Sequence, residues 1–192
     1  MCIRDRTNPT LIDDLIPGTI SLGYLEKVLC LLLREGVPIR DMETILETLG
    51  DHAGALKDID IVTEYVRQAL KRTITRRFAE ANSLRVITVD PKVEDTIVAS
   101  VKKSEAGSYL AMDPDLIQKI VNITSGEIDK VKDVIPNIII LTSPIVRIYF
   151  KKLIDQFIPN ITVLSYSEID NTAQIQAIGN IACLLYTSPS PR

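Results

Sequence analysis

Tryptophan is absent from this sequence of 192 residues, histidine occurs once, and aromatic residues make up only 5% of it. The single histidine, His52, stands beside Asp51 with no second histidine and no cysteine cluster, which excludes the usual ligand sets of a zinc site. The same scarcity removes the customary base from Ser-His and Cys-His nucleophile arrangements. His52 reads as a solvated loop residue. The eight glycines are scattered, and neither GxGxxG nor GxxxxGK[ST] occurs, so the backbone cradle of a nucleotide site is missing. Acidic neighbours such as Asp13 with Asp14, or Asp113 with Asp115, lie near proline, where carboxylates cap helices and turns more often than they form acid-base dyads. Long hydrophobic runs are also lacking. VLCLLL at 28–33 and NIIIL at 137–141 fall far short of the roughly 20 residues a bilayer span needs. The expectation is a protein with no enzyme activity, no cofactor and no metal, whose present stretch makes no membrane contact.

The ends carry their own signal. MCIRD at the start and CLLYT near the finish can be encoded by DNA strings that are reverse complements, the mark of a library adapter read as coding sequence. Residues 1–6 and 183–192 are therefore expected to be foreign, and the remainder a piece of a longer chain. Setting them aside leaves Cys30 as the one thiol, which cannot form an internal disulfide and fits a reducing cytoplasm. Removing Arg4, Asp5, Arg6 and Arg192 takes Lys plus Arg from 22 to 19 and Asp plus Glu from 25 to 24, so net charge moves from −3 to −5. That balance argues against a nucleic-acid partner.

What is present is a change of texture near residues 80–85. Before it, apolar residues recur at helical spacing: Leu22, Leu25, Leu29, Leu32 and Leu33 in a helix over 22–34, stopped by Gly36 and Pro38, then Ile39, Met42, Ile45, Leu46 and Leu49 in a second helix that starts near 38–39 and ends at Gly50. A polar loop over 51–60 leads to one long helix through EYVRQALKRTITRRF, capped by Asp58 or Asp60, with Val62, Tyr65, Val66, Ala69, Leu70, Ile74 and Phe78 on its buried side. After the boundary, short β-branched runs at 86–90, 109–112, 137–141 and 161–166 read as strands, with a last edge strand at 174–181. Between them, helices over 114–122 and 144–157 open with proline, where its missing N–H does no harm. Residues 94–103 read equally as helix or strand. The fold class is α+β overall: a helical module over 7–82 followed by a small α/β module over 83–182 with a short mixed sheet.

Charge singles out two places. Arg67, Lys71, Arg72, Arg76 and Arg77 in the long helix, continued by Arg85, suggest either a basic surface on a helix-turn-helix built around REGVPIRDMETIL, or cations that complement a helix dipole and pair with Glu64, Glu80, Asp41 and Glu35. The structural or protein-interface reading is the stronger. Arg34-Glu35 and Arg40-Asp41 flank one tight turn, and arginine there suits bidentate pairing across a subunit contact.

The runs LIPGTISLGYLEKVLCLLLREGVPIRDMETILETLGD, TEYVRQALKRTI, SPIVRIYFKKLI, LSYSEI and QAIGNI resemble, in matching order from about residue 11 to 181, the FlhA family of flagellar type III secretion export-gate proteins. The resemblance implies an inner-membrane protein with a cytoplasmic domain of four subdomains assembled as a ring, this chain holding the ring-forming third subdomain and the α/β fourth. It implies other copies of the chain as partners and, through the full-length protein, flagellar export chaperones with their substrates and the export ATPase stalk. Arg34, Glu35, Arg40, Asp41, Glu64 and Arg67 fall in the matched REGVPIRD and TEYVR runs and are the expected subunit contacts. The alternative is a helix-turn-helix DNA-binding protein with an α/β sensing domain.

Overall fold

The computed structural model describes residues 20–182 except 57, 105, 106, 134 and 136, and the adapter-like segments expected at both ends lie outside the described residues. Four helices come first: α1 (Leu22–Arg34), α2 (Met42–His52), α3 (Ile59–Ala69) and α4 (Lys71–Phe78). Then follow β1 (Ser83–Val89), α5 (Pro91–Ala99), the strands β2 (Val101–Ser104) and β3 (Gly107–Leu110), α6 (Pro114–Val131), β4 (Ile139–Thr142), α7 (Pro144–Ile154), β5 (Thr162–Ser165), a 3-10 turn (Tyr166–Glu168) and β6 (Gln174–Ile181).

The α+β class holds, and the sheet departs from the mixed one expected. Its four strands run in the order β5-β4-β1-β6 and every pair is parallel, while antiparallel pairing is confined to the separate β2-β3 hairpin. A parallel sheet needs cover on both faces. Alternate residues supply it: Leu84, Val86, Ile139, Leu141 and Leu164 join the core of α1–α4, whereas Ile87, Ile140, Val163 and Ile181 join Val93, Ile120 and Phe150 of α5, α6 and α7. The N-terminal helices are thus one outer layer of a helix-sheet-helix stack. The hairpin docks back on that layer through Asp58, which caps α3 and accepts the Ser108 N–H at 3.2 Å. Gly107, at φ 129°, gives it room, since a Cβ there would stand 3.1 Å from the Asp58 carboxylate.

Several local expectations change. The second helix begins at Met42 because Asp41, whose side chain accepts from Thr44 N–H and hydroxyl, is the cap, and it runs through Gly50 to His52. His52 is not a loop residue; it closes that helix and stacks on Tyr65 with ring centroids 4.2 Å apart. The long helix breaks at Leu70 (φ −81°, ψ 14°), which redirects α4 so that Thr75 accepts the Asp170 N–H at 2.8 Å. Its buried side is also rotated: Tyr65 and Ala69 are exposed, and Thr63, Glu64 and Arg67 are buried in their place. Residues 94–103 divide into the end of α5 and β2.

Because the helical layer supplies one side of the sheet core, both parts should unfold together. Leu84→Ala, at a fully buried β1 position facing α1–α4, is expected to cost about 2–5 kcal/mol. It should shift the urea midpoints of helix dichroism and tyrosine fluorescence by the same amount.

Candidate functional site

Three glutamates and two arginines meet between the two layers. Arg147, on α7, is fully buried; its Nε donates to Glu64 Oε2 at 2.5 Å, its Nη1 to Glu35 Oε2 at 2.6 Å and to the Val163 carbonyl at 3.3 Å, and its Nη2 to both Glu64 and Glu35. Arg67, on α3 and 1% exposed, forks onto Glu168 with Nε at 3.1 Å from Oε1 and Nη2 at 2.7 Å from Oε2. Its Nη1 lies 3.1 Å from Glu35 Oε2 but off the hydrogen-bond axis, an ion pair without a hydrogen bond. Glu168, from the 3-10 turn and fully buried, also accepts from Ser165 Oγ at 3.0 Å. Four separate segments therefore end on one set of charges.

The carboxylates do not share this environment equally. Burial pushes the Glu64 carboxyl above its ordinary range, and the repulsion of Glu168 adds to it, so that the hydrogen bond and charge of Arg147 do not fully compensate. Burial pushes Glu35 up as well, but Arg67 and Arg147 together outweigh it and hold that carboxyl below its usual range. Arg147 is costly to bury as a cation, yet its bonds to Glu64 and the charges of Glu64, Glu35 and Glu168 keep it protonated at any accessible pH.

Of the six residues expected at a subunit contact, the structure brings Glu35, Glu64 and Arg67 into this internal cluster. Their charges pair within one chain, with Arg67 1% and Glu64 9% exposed. Asp41 is the α2 cap. Arg34 and Arg40 are exposed and make no ion pair among the described residues. The turn that carries them is rigid: Gly36, at φ 70°, lets its own N–H reach Leu33 O and the Val37 N–H reach Leu32 O, closing α1 while Val37 is buried. Arg147 and Glu168 were not anticipated. Their signal was a charged residue at a core-facing helical position beside Val146 and Phe150, and an acid at the end of a buried strand.

A match to the FHIPEP family covers residues 3–174, and the chain belongs to that family. Flagellar biosynthesis protein FlhA of Bacillus subtilis (strain 168) is 40% identical over 172 residues, 89% of this chain and 25% of that protein. Among solved structures, the nonameric EPEC SctV-C is 30% identical with a TM-score of 0.81 over 93% of this chain and 54% of that one. The CdsV chain in the Chlamydia pneumoniae CdsV and CdsO protein complex is 34% identical with a TM-score of 0.81 over 93% of this chain and 53% of that one. The chain therefore spans about a quarter of the length of the curated relatives it matches. Family membership carries no implication of enzyme activity and sets aside the DNA-binding alternative, whose basic helix also loses Arg67 to the interior. No helix among the described residues is long and apolar enough to cross a membrane.

Two outcomes follow from the cluster. Arg147→Ala leaves buried carboxylates unpaired and is expected to cost about 3–5 kcal/mol in urea unfolding. The pH dependence has two arms. Glu64, raised in the fold, adds stability as pH falls from its folded value toward the ordinary glutamate value of about 4.3, and Glu35, lowered in the fold, withdraws stability as pH falls below that value. Urea midpoints across the acid range should pass through a maximum, and Glu64→Gln should abolish the rise while keeping the fall.

Proposed function

We propose that this chain is part of the cytoplasmic ring of a flagellar protein export gate, and that it works by binding and conformational change. The observation that carries the reading is the exposed Arg34 and Arg40 on a turn whose first residue, the α1 cap Glu35, is held by Arg147. Such a turn presents at the surface two cations unpaired among the described residues, and arginine forks pair well with carboxylates of a neighbouring subunit. A nonameric relative with the same fold supports a ring, and a relative in complex with CdsO supports docking of secretion partners on it. On this reading the full-length protein is anchored at the inner membrane with this region on the cytoplasmic face, and chaperone-bound flagellar subunits and the export ATPase stalk are its further partners. The two sequence modules, 7–82 and 83–182, correspond to the ring-forming and terminal subdomains, held as one body by the shared core.

Light scattering of the chain over a concentration series tests this. Mass is expected to rise with concentration toward a ring, Arg40→Glu and Arg34→Glu are each expected to suppress the rise, and a mass that stays monomeric throughout would remove the turn as a sufficient contact.

A further inference from the structure

The two edges of the parallel sheet are finished in different ways. β5 is four residues long with its last three buried, and cations close its flank: Arg147 donates to the Val163 carbonyl at 3.3 Å, and Lys151 Nζ donates to the Ile161 carbonyl at 2.9 Å. β6, at the other edge, is eight residues long and pairs with β1 on one side only. Its sequence, QIQAIGNI, contains no charged residue and no proline, the devices by which edge strands are normally kept from pairing. Residues 174–177 are exposed, Ile175 at 45%.

The register identifies which backbone groups are open. The Gln174 N–H donates to the Asn82 carbonyl at 3.0 Å, so Gln174 and Gln176 turn their backbone groups to β1, and Ile175 and Ala177 turn theirs outward. Those outward groups make no hydrogen bond among the described residues. The irregularity in the β1-β6 ladder falls after Ala177, so residues 174–177 pair with β1 in unbroken register.

We propose that the free side of β6 is a docking site for an extended segment of a partner polypeptide, which adds to the sheet as a fifth strand. The chemistry it selects is main-chain N–H and C=O at two-residue spacing, with uncharged β-branched side chains that lie against Ile175. A second copy is the other candidate occupant. Two β6 strands would meet through a two-fold, self-complementary contact, whereas neighbours in a ring meet head to tail, and the other sheet edge, β5, has carbonyls along its flank taken by Arg147 and Lys151, so on the ring reading above, on which this step rests, the strand comes from a different polypeptide.

The test uses the labelled full chain and a capped octapeptide of alternating threonine and valine, with amide exchange followed by NMR. Exchange at Ile175 and Ala177 is expected to slow on saturation while Gln174 and Gln176, already protected by β1, stay unchanged. Ala177→Pro removes an outward N–H without touching the β1 ladder and should weaken binding by about tenfold or more, roughly 1.4 kcal/mol. The same peptide N-methylated at alternate residues should not bind the unaltered chain. Absence of binding at millimolar peptide, equal binding by Ala177→Pro and by the N-methylated peptide, or protection elsewhere on the surface would each overturn the site. Protection of the same two amides that grows with protein concentration, without peptide, would assign the edge to a second copy and overturn the partner strand. Ring mass measured in parallel separates the two readings: a ring that takes no peptide sinks only the docking site, and peptide uptake by a chain that never assembles sinks only the ring.

Discussion

The buried guanidinium of Arg147 constrains the rest of the molecule. A cation with five donors cannot be left unpaired in a dry interior, so the end of α1, the middle of α3 and the turn after β5 must all arrive beside α7 before the core can close. These contacts join residues 83 and 112 positions apart in sequence. Apolar packing between the helical layer and the sheet supplies most of the driving force, but it tolerates sliding. The charges do not. A hydrophobic replacement of the whole cluster is expected to be comparably stable, with the loss felt in the alignment of the layers.

That alignment reaches the surface through Glu35. It is the cap of α1, and its carboxylate is held by Arg147 while the residues on either side, Arg34 and Gly36, face outward. The start of the turn is thus fastened from inside. A subunit contact built on such a turn gives up little backbone entropy on association, although the exposed arginine side chains still have to be ordered.

The bounds of α1 and β6 were legible, but the apolar face of α1 was only partly so: Leu25 and Leu32 are buried as expected, Val28 joins them, and Leu22 and Leu33 are exposed. The apolar pattern misread α3 for a physical reason. Glu64 and Arg67 are polar by type and core by position, so any reading that assigns the buried side from hydrophobicity turns the helix toward Tyr65 and Ala69. The break at Leu70 left no mark in sequence, since neither glycine nor proline stands there. The wholly parallel sheet was hidden for another reason: strand order depends on which faces the helices cover, and nothing in β1 alone says that α1–α4 lie against Leu84 and Val86. Of the cluster, Glu35, Glu64 and Arg67 stood out in the sequence as charges expected at a subunit contact, and the fold brings the three together between its layers.

Why three carboxylates serve two arginines is a matter of hydrogen bonds before charge. Arg147 and Arg67 bring ten N–H donors into the interior, and two carboxylates with restricted geometry cannot meet them all. Glu35 supplies the missing acceptors by bridging both guanidiniums, and the Val163 carbonyl takes one further donor. Even so, Arg67 Nη1 keeps only an ion-pair contact. The price of the third acid is one negative charge in excess, and it falls on Glu64, which has Glu168 for a neighbour and little solvent to screen it. Donor satisfaction and charge balance cannot both be met with these five residues, and the fold resolves the conflict in favour of the donors.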